Sequence, residues 1–175
     1  MLTFTPITEH KRGTLASLLT QSYAAMRAVD PGFWKEESPK WDCVDREAFD
    51  NPDTIGKCTF VTCLDGQVIG FGSFDPRQAP EVGVVGHNCI LLEFRGRGFG
   101  KAQVQEIVQR LAERGIRKAA VSTADHPFFI PAQRMYTACG FRETRRHVPD
   151  PERGLRVIEY EMELQALSAD SGQAP

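Results

Sequence analysis

The sequence predicts a single α/β domain of the α+β type, in which helices and strands form a mixed sandwich. Three observations lead to this prediction. A length of 175 residues corresponds to one domain, at roughly 100–200 residues per domain. The composition, with 41% hydrophobic and 25% charged residues, suits a chain that buries a core and stays in solution. Extended apolar runs alternate along the chain with segments of helical periodicity.

The first half of the chain predicts a helix, a loop and a hairpin. Thr14 to Met26 carries leucines at helical spacing and is expected to be a helix. Asp30 to Asp53 contains prolines, a glycine and two tryptophans, which favour a loop with only a short helix toward its end. Thr59 to Leu64 and Val68 to Phe74 are β-rich runs on either side of Asp65-Gly66, which indicates a hairpin because glycine tolerates the positive φ of such turns.

The second half predicts alternating strands and helices. Val82 to Leu92 is a long, mostly uncharged run that is typical of a strand covered on both faces. Lys101 to Arg114 has apolar residues at helical spacing, and Gly115 follows as a stop. The remaining predicted elements are a strand, a helix and a final strand pair: Ala119 to Thr123, Pro131 to Cys139, Phe141 to His147 and Val157 to Leu164.

Charge, cysteine usage and hydropathy exclude several classes of protein. The net charge is −2, with 21 basic and 23 acidic side chains, so the chain has no long-range attraction for a polyanion and no nucleic acid is expected as a partner. The five cysteines form no CxxC pair, which argues against a metal site or a disulfide framework. No run reaches the ~18 apolar residues of a membrane span and the N-terminus does not resemble a signal peptide. We therefore expect a cytoplasmic protein with no membrane partner.

The polar composition of the last residues predicts a flexible C-terminal tail. Serine, aspartate, glycine and proline replace apolar residues there. We therefore expect a domain over residues 1–167 and a tail over residues 168–175.

A glycine-rich turn separates the strand that ends near Leu92 from the helix that starts near Lys101. It reads Arg95-Gly96-Arg97-Gly98-Phe99-Gly100-Lys101. Backbone N–H groups at such a turn, together with the roughly +0.5 charge of a helix N-terminus, favour an anion and most often a phosphate. The spacing excludes a P-loop, because Arg95 stands where its first glycine would be and Ala102 follows the lysine. It also excludes the dinucleotide fingerprint, whose third glycine would fall on Lys101.

The pattern Arg95-x-x-Gly98-x-Gly100 resembles the acetyl-CoA motif of the GNAT N-acetyltransferase superfamily. A second segment, Ala132-Gln133-Arg134-Met135-Tyr136-Thr137-Ala138-Cys139-Gly140-Phe141, resembles the superfamily's later helix, Ala-x-x-x-Tyr-x-x-x-Gly-Phe. The resemblance covers nearly the whole chain, from the first helix to the final strand pair. It implies a mostly antiparallel central sheet flanked by helices. It also implies that the protein transfers an acetyl group from acetyl-CoA to the primary amine of a small molecule.

The resemblance also implies which residues hold the cofactor, and it implies no metal. In the family, backbone amides of the turn hold the pyrophosphate, and free backbone groups of the preceding strand pair with pantetheine. Many members have proline where this chain has Leu92. This difference does not weaken the resemblance, because the family contacts pantetheine there through the main chain. The implied acetyl-CoA residues are Ile90 and Leu92 on the strand, and Arg95, Arg97, Gly98, Phe99, Gly100 and Lys101 at the turn.

The proposed chemistry requires a base and an acid. An amine of pKa ~10.4 is almost wholly protonated at pH 7, and a departing thiolate of pKa ~8.5 requires a proton donor. The resemblance implies that Tyr136 is this acid. The family's usual positions for a base hold Val84 and Gly86, neither of which can take a proton. His87 reaches the site if a β-bulge turns it inward. The open candidates for the base are His87, Asp125, His126 and a water molecule.

The residues expected to contact the acceptor are Trp34 and Asn88. Between Asp30 and Asp53 there are eight acids and three bases, which favours a cationic amine. The alternative is an ordinary solvated loop whose tryptophans anchor it to the core. Phe129 stands where many relatives carry asparagine and predicts a bulkier, drier pocket wall.

Two other functions remain open at this point. A catalytically inert acyl-CoA-binding module would keep the glycine turn without a competent base. An acetyltransferase of protein N-termini or lysines would use the same turn with a different acceptor. The sequence also leaves a homodimer open.

Overall fold

The computed structural model describes residues 1–149, 151 and 154–165. The predicted tail over residues 168–175 and the predicted domain end at residue 167 lie outside the described residues. The strands of the described part are β1 (Leu2–Pro6), β2 (Thr59–Leu64), β3 (Gln67–Gln78), β4 (Val82–Ile90), β5 (Lys118–Ala124), β6 (Arg142–His147) and β7 (Val157–Glu163). The helices are α1 (Thr14–Ser22), α2 (Met26–Val29), α3 (Pro31–Asp50), α4 (Phe99–Glu113) and α5 (Ile130–Ala138).

The strands form one sheet in the order β1-β2-β3-β4-β5-β7-β6. All neighbours are antiparallel except β4 and β5, which are parallel. Two apolar clusters cover the faces of this sheet, one beneath α1 and α3 and the other beneath α4 and α5. The predicted fold class, a mostly antiparallel sheet flanked by helices, is confirmed.

The parallel pair is short. Only Val82–Val84 of β4 pair with β5, opposite Lys118–Ala120. Beyond Val84, β4 continues for six residues to Ile90 with no sheet partner on that side among the described residues. The two central strands therefore leave a gap in the sheet.

The first strand was absent from the sequence prediction. Leu2–Pro6 alternates apolar and polar side chains and pairs antiparallel with β2, from Leu2 opposite Leu64 to Pro6 opposite Phe60. Phe4 packs edge-on against Phe60, with ring centroids 5.3 Å apart. A five-residue strand at the start of the chain has no turn signal before it. The short alternation of apolar and polar residues is then the only sequence signal for this strand.

The predicted loop over Asp30 to Asp53 is wrong, because most of it is the helix α3. The Asp30 carboxylate accepts a hydrogen bond from the backbone N–H of Phe33 at 3.0 Å and caps the helix. Pro31 occupies the first helical turn, where a missing N–H costs nothing. Pro39 lies inside the helix, where proline is normally unfavourable.

One face of α3 is buried, and this explains why the helix forms in spite of Pro39. Trp41, Asp45 and Ala48 are buried at spacings of four and three residues. Their packing against α1 and β2 outweighs the weak local preference, since most helical stability comes from such an apolar face. The prolines predicted a break that tertiary packing overrides.

Asp45 ties α3 to the start of α1. It is 6% exposed, and its carboxylate accepts hydrogen bonds from the backbone N–H of Gly13 at 2.8 Å and of Leu15 at 2.9 Å. These are orphan donors at a helix N-terminus, so a side chain from another helix caps α1. The acid therefore has a structural role.

Replacing Asp45 with alanine is expected to lower the free energy of unfolding by about 2 kcal/mol or more, because the buried N–H groups lose a charged acceptor. Asp42→Ala, on the exposed face of the same helix, is the matched control and is expected to change it by about 0.5 kcal/mol or less. Urea unfolding measures both. Equal losses in the two variants would contradict the capping role.

Candidate active site

A cavity of about 430 Å³ fills the gap beside β4. Asn88, Cys89 and Ile90 of β4 form one wall. The glycine-rich turn and the start of α4 form one end, and the loop after β5 together with α5 forms the opposite wall. Its other lining residues are Tyr23, Arg95, Gly96, Gly98, Gly100, Lys101, Phe128, Phe129, Pro131, Ala132, Arg134 and Met135.

The turn presents free backbone donors to this cavity. Gly98 has a φ of +86° and precedes the first residue of α4, a conformation that L side chains rarely adopt. Ala102 donates the first helical hydrogen bond to the Gly98 carbonyl at 3.0 Å. The amides of residues 99–101 therefore lack intrahelical acceptors. With the positive end of the helix dipole, they form a site suited to an anion.

Besides Arg95, two cationic residues line the cavity. Lys101 was among the residues expected there, whereas Arg134 of α5 was not singled out from the sequence. Arg134 follows two residues after Ala132, within the second motif, and its exposed side chain reaches the cavity from the other wall. Together they add positive charge next to the free amides.

The two arginines of the turn contact the protein itself. The Arg95 guanidinium donates to the carbonyl oxygens of Ile90 and Ser22, both at 2.8 Å, and so connects the end of β4 to the end of α1. The Arg97 guanidinium lies over the Phe99 ring at 5.0 Å and the Phe94 ring at 5.9 Å. Arg97 and Phe99 are not among the described residues that line the cavity.

The end of β4 turns one amide toward the gap. Leu91 donates its N–H to the Ile69 carbonyl of β3 at 2.8 Å. Because alternate residues of an antiparallel strand point their backbone groups to opposite sides, the Ile90 N–H faces away from β3. Leu92 starts a 3₁₀ turn, is 65% exposed and is not part of the described cavity lining. The structure thus brings Ile90 to the cavity and leaves Leu92 outside it.

Tyr136 lies behind the cavity wall. It is 4% exposed, and its hydroxyl oxygen accepts a hydrogen bond from the side-chain amide of Asn88 at 2.9 Å. Burial raises the pKa of Tyr136, and the bond from Asn88 acts in the opposite direction. Asn88 lines the cavity directly. Access from the cavity to the phenol therefore passes the Asn88 amide.

β4 contains a β-bulge, the feature that the sequence analysis required for His87 to reach the site. The register of β3 and β4 shifts between Gly72/Asn88 and Phe74/Val85, so β4 has one extra residue there. His87 is exposed and does not line the described cavity. Although part of the side chain is exposed, the surrounding protein removes water from the imidazole and so lowers the pKa of His87. The Glu37 carboxylate raises this pKa, and the Lys40 ammonium lowers it further. The imidazole thus faces α3, at the other side of the strand from Tyr136.

The two rival bases are engaged in structural contacts. The Asp125 carboxylate pairs with Arg146 at 3.3 Å and with Arg156 at 3.5 Å. His126 accepts a hydrogen bond on Nδ1 from the backbone N–H of Phe128 at 3.1 Å and caps a 3₁₀ turn over Pro127–Phe129. Both side chains shape the loop after β5.

An aromatic cluster lies against the cavity, and three of its members, Tyr23, Phe128 and Phe129, belong to the cavity lining. We call it the aromatic wall; its members are Tyr23, Phe33, Phe128 and Phe129. Tyr23 stacks on Phe128 at 5.8 Å and tilts against Phe129 at 5.9 Å, and Phe33 of α3 contacts Phe129 at 5.7 Å. The Tyr23 hydroxyl forms no hydrogen bond with any residue that the structure describes, and burial raises its pKa. Sequence reasoning missed Tyr23, because its place depends on packing between distant segments.

Trp34 lies beside the aromatic wall and packs edge-on against Trp41, with centroids 5.1 Å apart. It does not line the described cavity. Carboxylates of the acidic segment also have structural partners: besides the two caps made by Asp30 and Asp45, Glu37 pairs with Lys40 and Asp50 pairs with Arg12. These contacts are the ones that the anchoring alternative expects, and the acceptor contact of Trp34 stays a prediction.

The described part of the chain lacks two further kinds of feature. No helix there is long and apolar enough to cross a membrane. Within the same residues, no three His, Cys, Asp or Glu side chains come together as metal ligands.

Comparison with known proteins gives a family and a fold. The model of the Acetyltransferase (GNAT) family matches residues 22–141. A GNAT-family protein of Desulfovibrio desulfuricans superposes with a TM-score of 0.73 at 16% identity, over 94% of this chain and 99% of that one. A GNAT acetyltransferase of Elizabethkingia anophelis with acetyl-CoA bound gives 0.63 at 16% identity, over 93% and 98%. The IAA acetyltransferase of Bacillus cereus gives 0.61 at 18% identity, over 94% and 99%. No curated protein sequence matches the chain.

Replacing Arg95 with alanine is expected to lower the free energy of unfolding by about 1–2 kcal/mol, because two carbonyl oxygens lose a charged donor. Arg97→Ala removes only ring contacts at the same turn and is expected to cost about 0.5 kcal/mol. Thermal and urea unfolding of the two variants make the comparison. An Arg95→Ala protein as stable as the wild type would show that the connection between β4 and α1 contributes nothing.

Proposed function

The chain belongs to the GNAT acetyltransferase family, and we propose that it transfers the acetyl group of acetyl-CoA to the primary amine of a small molecule by direct attack on the thioester. One observation carries this proposal. A single cavity extends from the free amides at the start of α4, along the unpaired end of β4, to Asn88, whose side-chain amide donates a hydrogen bond to the buried Tyr136. Acetyl-CoA has a pyrophosphate at one end and a thioester at the other. The cavity offers an anion site at the turn for the first, and Asn88 with the acid behind it for the second.

The donor is held mainly by backbone groups. The amides of residues 99–101 receive the pyrophosphate, with Lys101 and Arg134 as the neighbouring cations. The Ile90 N–H, which points away from β3, pairs with the pantetheine arm as an added strand would. Arg95 serves this site indirectly, because its guanidinium holds the end of β4 in place.

The transfer requires two proton movements. The amine nitrogen attacks the thioester carbonyl and loses a proton, and the C–S bond breaks as the sulfur gains one. His87 is the base in this proposal, since its lowered pKa keeps the imidazole neutral and able to accept a proton near pH 7. Tyr136 is the acid for the leaving thiolate. His87 does not line the described cavity, so in this proposal it takes the amine proton through a water molecule, while Tyr136 acts from the opposite face of β4, behind Asn88.

Direct transfer is favoured over an acetyl-cysteine intermediate. Cys89 is the thiol in the cavity lining, and burial raises its pKa to about 11. A thiol of that pKa is almost wholly protonated at neutral pH and is a poor nucleophile. The amine is therefore the group that attacks the thioester.

The aromatic wall supports a small acceptor with an apolar or aromatic group. Phe33 and Phe129 connect α3 to the loop after β5 across the acceptor end, and the Tyr23 hydroxyl offers one polar contact within an otherwise apolar surface. Among the carboxylates of the acidic segment, Asp30, Glu37, Asp45 and Asp50 have structural partners, whereas Asp42 is exposed. In this proposal the apolar contacts of the aromatic wall, rather than these charges, select the acceptor.

Gly98→Val is expected to weaken acetyl-CoA binding by at least about tenfold, or 1.4 kcal/mol. A valine at a φ of +86° strains the turn, and its side chain enters open space on the ligand side. The matched control is Gly115→Val, at the far end of α4, where φ is +70° and the space is also open. Calorimetry with both variants separates backbone strain from ligand contact. Unchanged affinity in a folded Gly98→Val protein would exclude the turn as the cofactor site.

Tyr136→Phe is expected to lower kcat by ~10²-fold with little change in acetyl-CoA affinity, because only the proton donor is removed. Tyr160→Phe is the control, since Tyr160 packs 6.1 Å from Tyr136 in the same cluster. The assay follows release of free CoA under conditions where chemistry limits turnover. A full-rate Tyr136→Phe enzyme would make Tyr136 a purely structural residue.

The acceptor preference is tested with two primary amines. We expect kcat/KM for 2-phenylethylamine to exceed that for 1,4-diaminobutane by about tenfold or more, the size of an apolar contact in a pocket. Phe129→Ala should reduce this ratio, because Phe129 contacts Tyr23, Phe33 and Phe128. A preference for the diamine that weakens with added salt would instead support selection by the acidic residues of α3.

A further inference from the structure

The side chain of Asn88 links the cavity to the buried phenol of Tyr136. Its Nδ2 lies 2.9 Å from the Tyr136 hydroxyl oxygen and 3.3 Å from the Gly86 carbonyl oxygen. Both partners are fixed: Tyr136 is held between the rings of Phe141 and Tyr160, and Gly86 belongs to the bulged part of β4. Asn88 is thus held from two sides in one orientation.

The Gly86 carbonyl determines which way the amide group points. A carbonyl oxygen accepts hydrogen bonds and cannot donate, so the Asn88 atom that faces it has to be the NH₂ nitrogen. The flipped amide would place Oδ1 of Asn88 against the Gly86 oxygen, where two acceptors repel each other, although the Tyr136 hydroxyl could still donate to it. The Gly86 contact therefore selects the orientation in which Nδ2 faces both partners. One N–H of Asn88 therefore points to Gly86 and the other to Tyr136, which makes the phenolic oxygen an acceptor.

We propose that Asn88 is a positioning residue that turns the phenolic proton of Tyr136 toward the cavity. A hydroxyl has a single proton, and when its oxygen accepts from Asn88 this proton is left to be donated elsewhere. Among the residues that the structure describes, none accepts it. The inference rests on the proposed function, in which the proton goes to the leaving thiolate.

Asn88 also stabilises the product of that proton transfer. As the O–H bond of Tyr136 breaks and an S–H bond forms on CoA, the phenolic oxygen becomes negative. The N–H of Asn88 then donates to an ionised acceptor, and such hydrogen bonds are about twice as strong as neutral ones. In a buried site, where ionisation of a phenol is costly, this donor lowers the barrier to proton release.

The direction of the hydrogen bond can be read by NMR without any turnover. The chain has two asparagines, Asn51 and Asn88, so selective ¹⁵N labelling of asparagine gives two side-chain amide pairs, and Asn88→Ala assigns them. In Tyr136→Phe we expect one Nδ2 proton of Asn88 to move upfield and to exchange faster with water. Asn51, which donates to the Glu47 carbonyl at 2.8 Å, is the internal reference. Unchanged Asn88 amide signals would overturn the inference.

Kinetics test the consequence. Asn88→Asp cannot donate, and its carboxylate would accept the Tyr136 proton, so we expect kcat to fall by ~10²-fold, as in Tyr136→Phe. The double variant should be no slower than Tyr136→Phe alone, because both changes remove the same proton. Asn88→Ala leaves the phenol free and should lose less. Ser73→Ala, which removes a hydrogen bond to the His87 carbonyl in the same bulge, controls for disturbance of the strand.

The outcomes separate this inference from the proposed function. A slow Tyr136→Phe with a wild-type rate in Asn88→Asp would overturn the role of Asn88 and leave the acetyltransferase reaction intact. A full-rate Tyr136→Phe would overturn both the acid and its positioning residue. If 2-phenylethylamine is not acetylated at all, the proposed acceptor fails, and the NMR signals of Asn88 alone decide the inference.

Discussion

The early end of the pairing between β4 and β5 is the constraint on which the site depends. A parallel pair that stops at Val84 leaves the last two thirds of a central strand with one open side. Buried backbone groups without partners are costly, so they acquire partners from elsewhere: the Arg95 guanidinium takes the Ile90 carbonyl. The remaining free backbone groups at the end of β4 face the cavity, where the amides of the proposed cofactor would pair with them.

The bulge in β4 determines which side chains of the strand lie on each face of the sheet. With one extra residue between Val85 and Asn88, both side chains lie on the α4 and α5 side, where Val85 joins the core and Asn88 bonds to Tyr136. His87 and Cys89 lie on the side of α1 and α3. In the proposed mechanism, one strand thus supplies the base from one face and orients the acid on the other.

Features governed by local rules were predictable from the sequence, and those governed by packing were not. The hairpin at Asp65-Gly66 and the amphipathic α4 follow from short-range chemistry, and both appear where expected. The helix α3 was missed because Pro39 is a strong local signal, whereas its buried face depends on contacts with α1. The cofactor turn was recognisable from its glycines. Tyr23 was not, because it reaches the cavity only once α1 packs beside the loop after β5.

The central claim is that the open end of β4 and the start of α4 hold one ligand together. Hydrogen exchange of backbone amides with and without acetyl-CoA tests it most directly. The account predicts slower exchange at two separate segments, residues 88–91 and residues 96–101, with β6 unchanged. Protection confined to the turn, or absent from both segments at saturating acetyl-CoA, would contradict the claim that the gap in the sheet is the cofactor site.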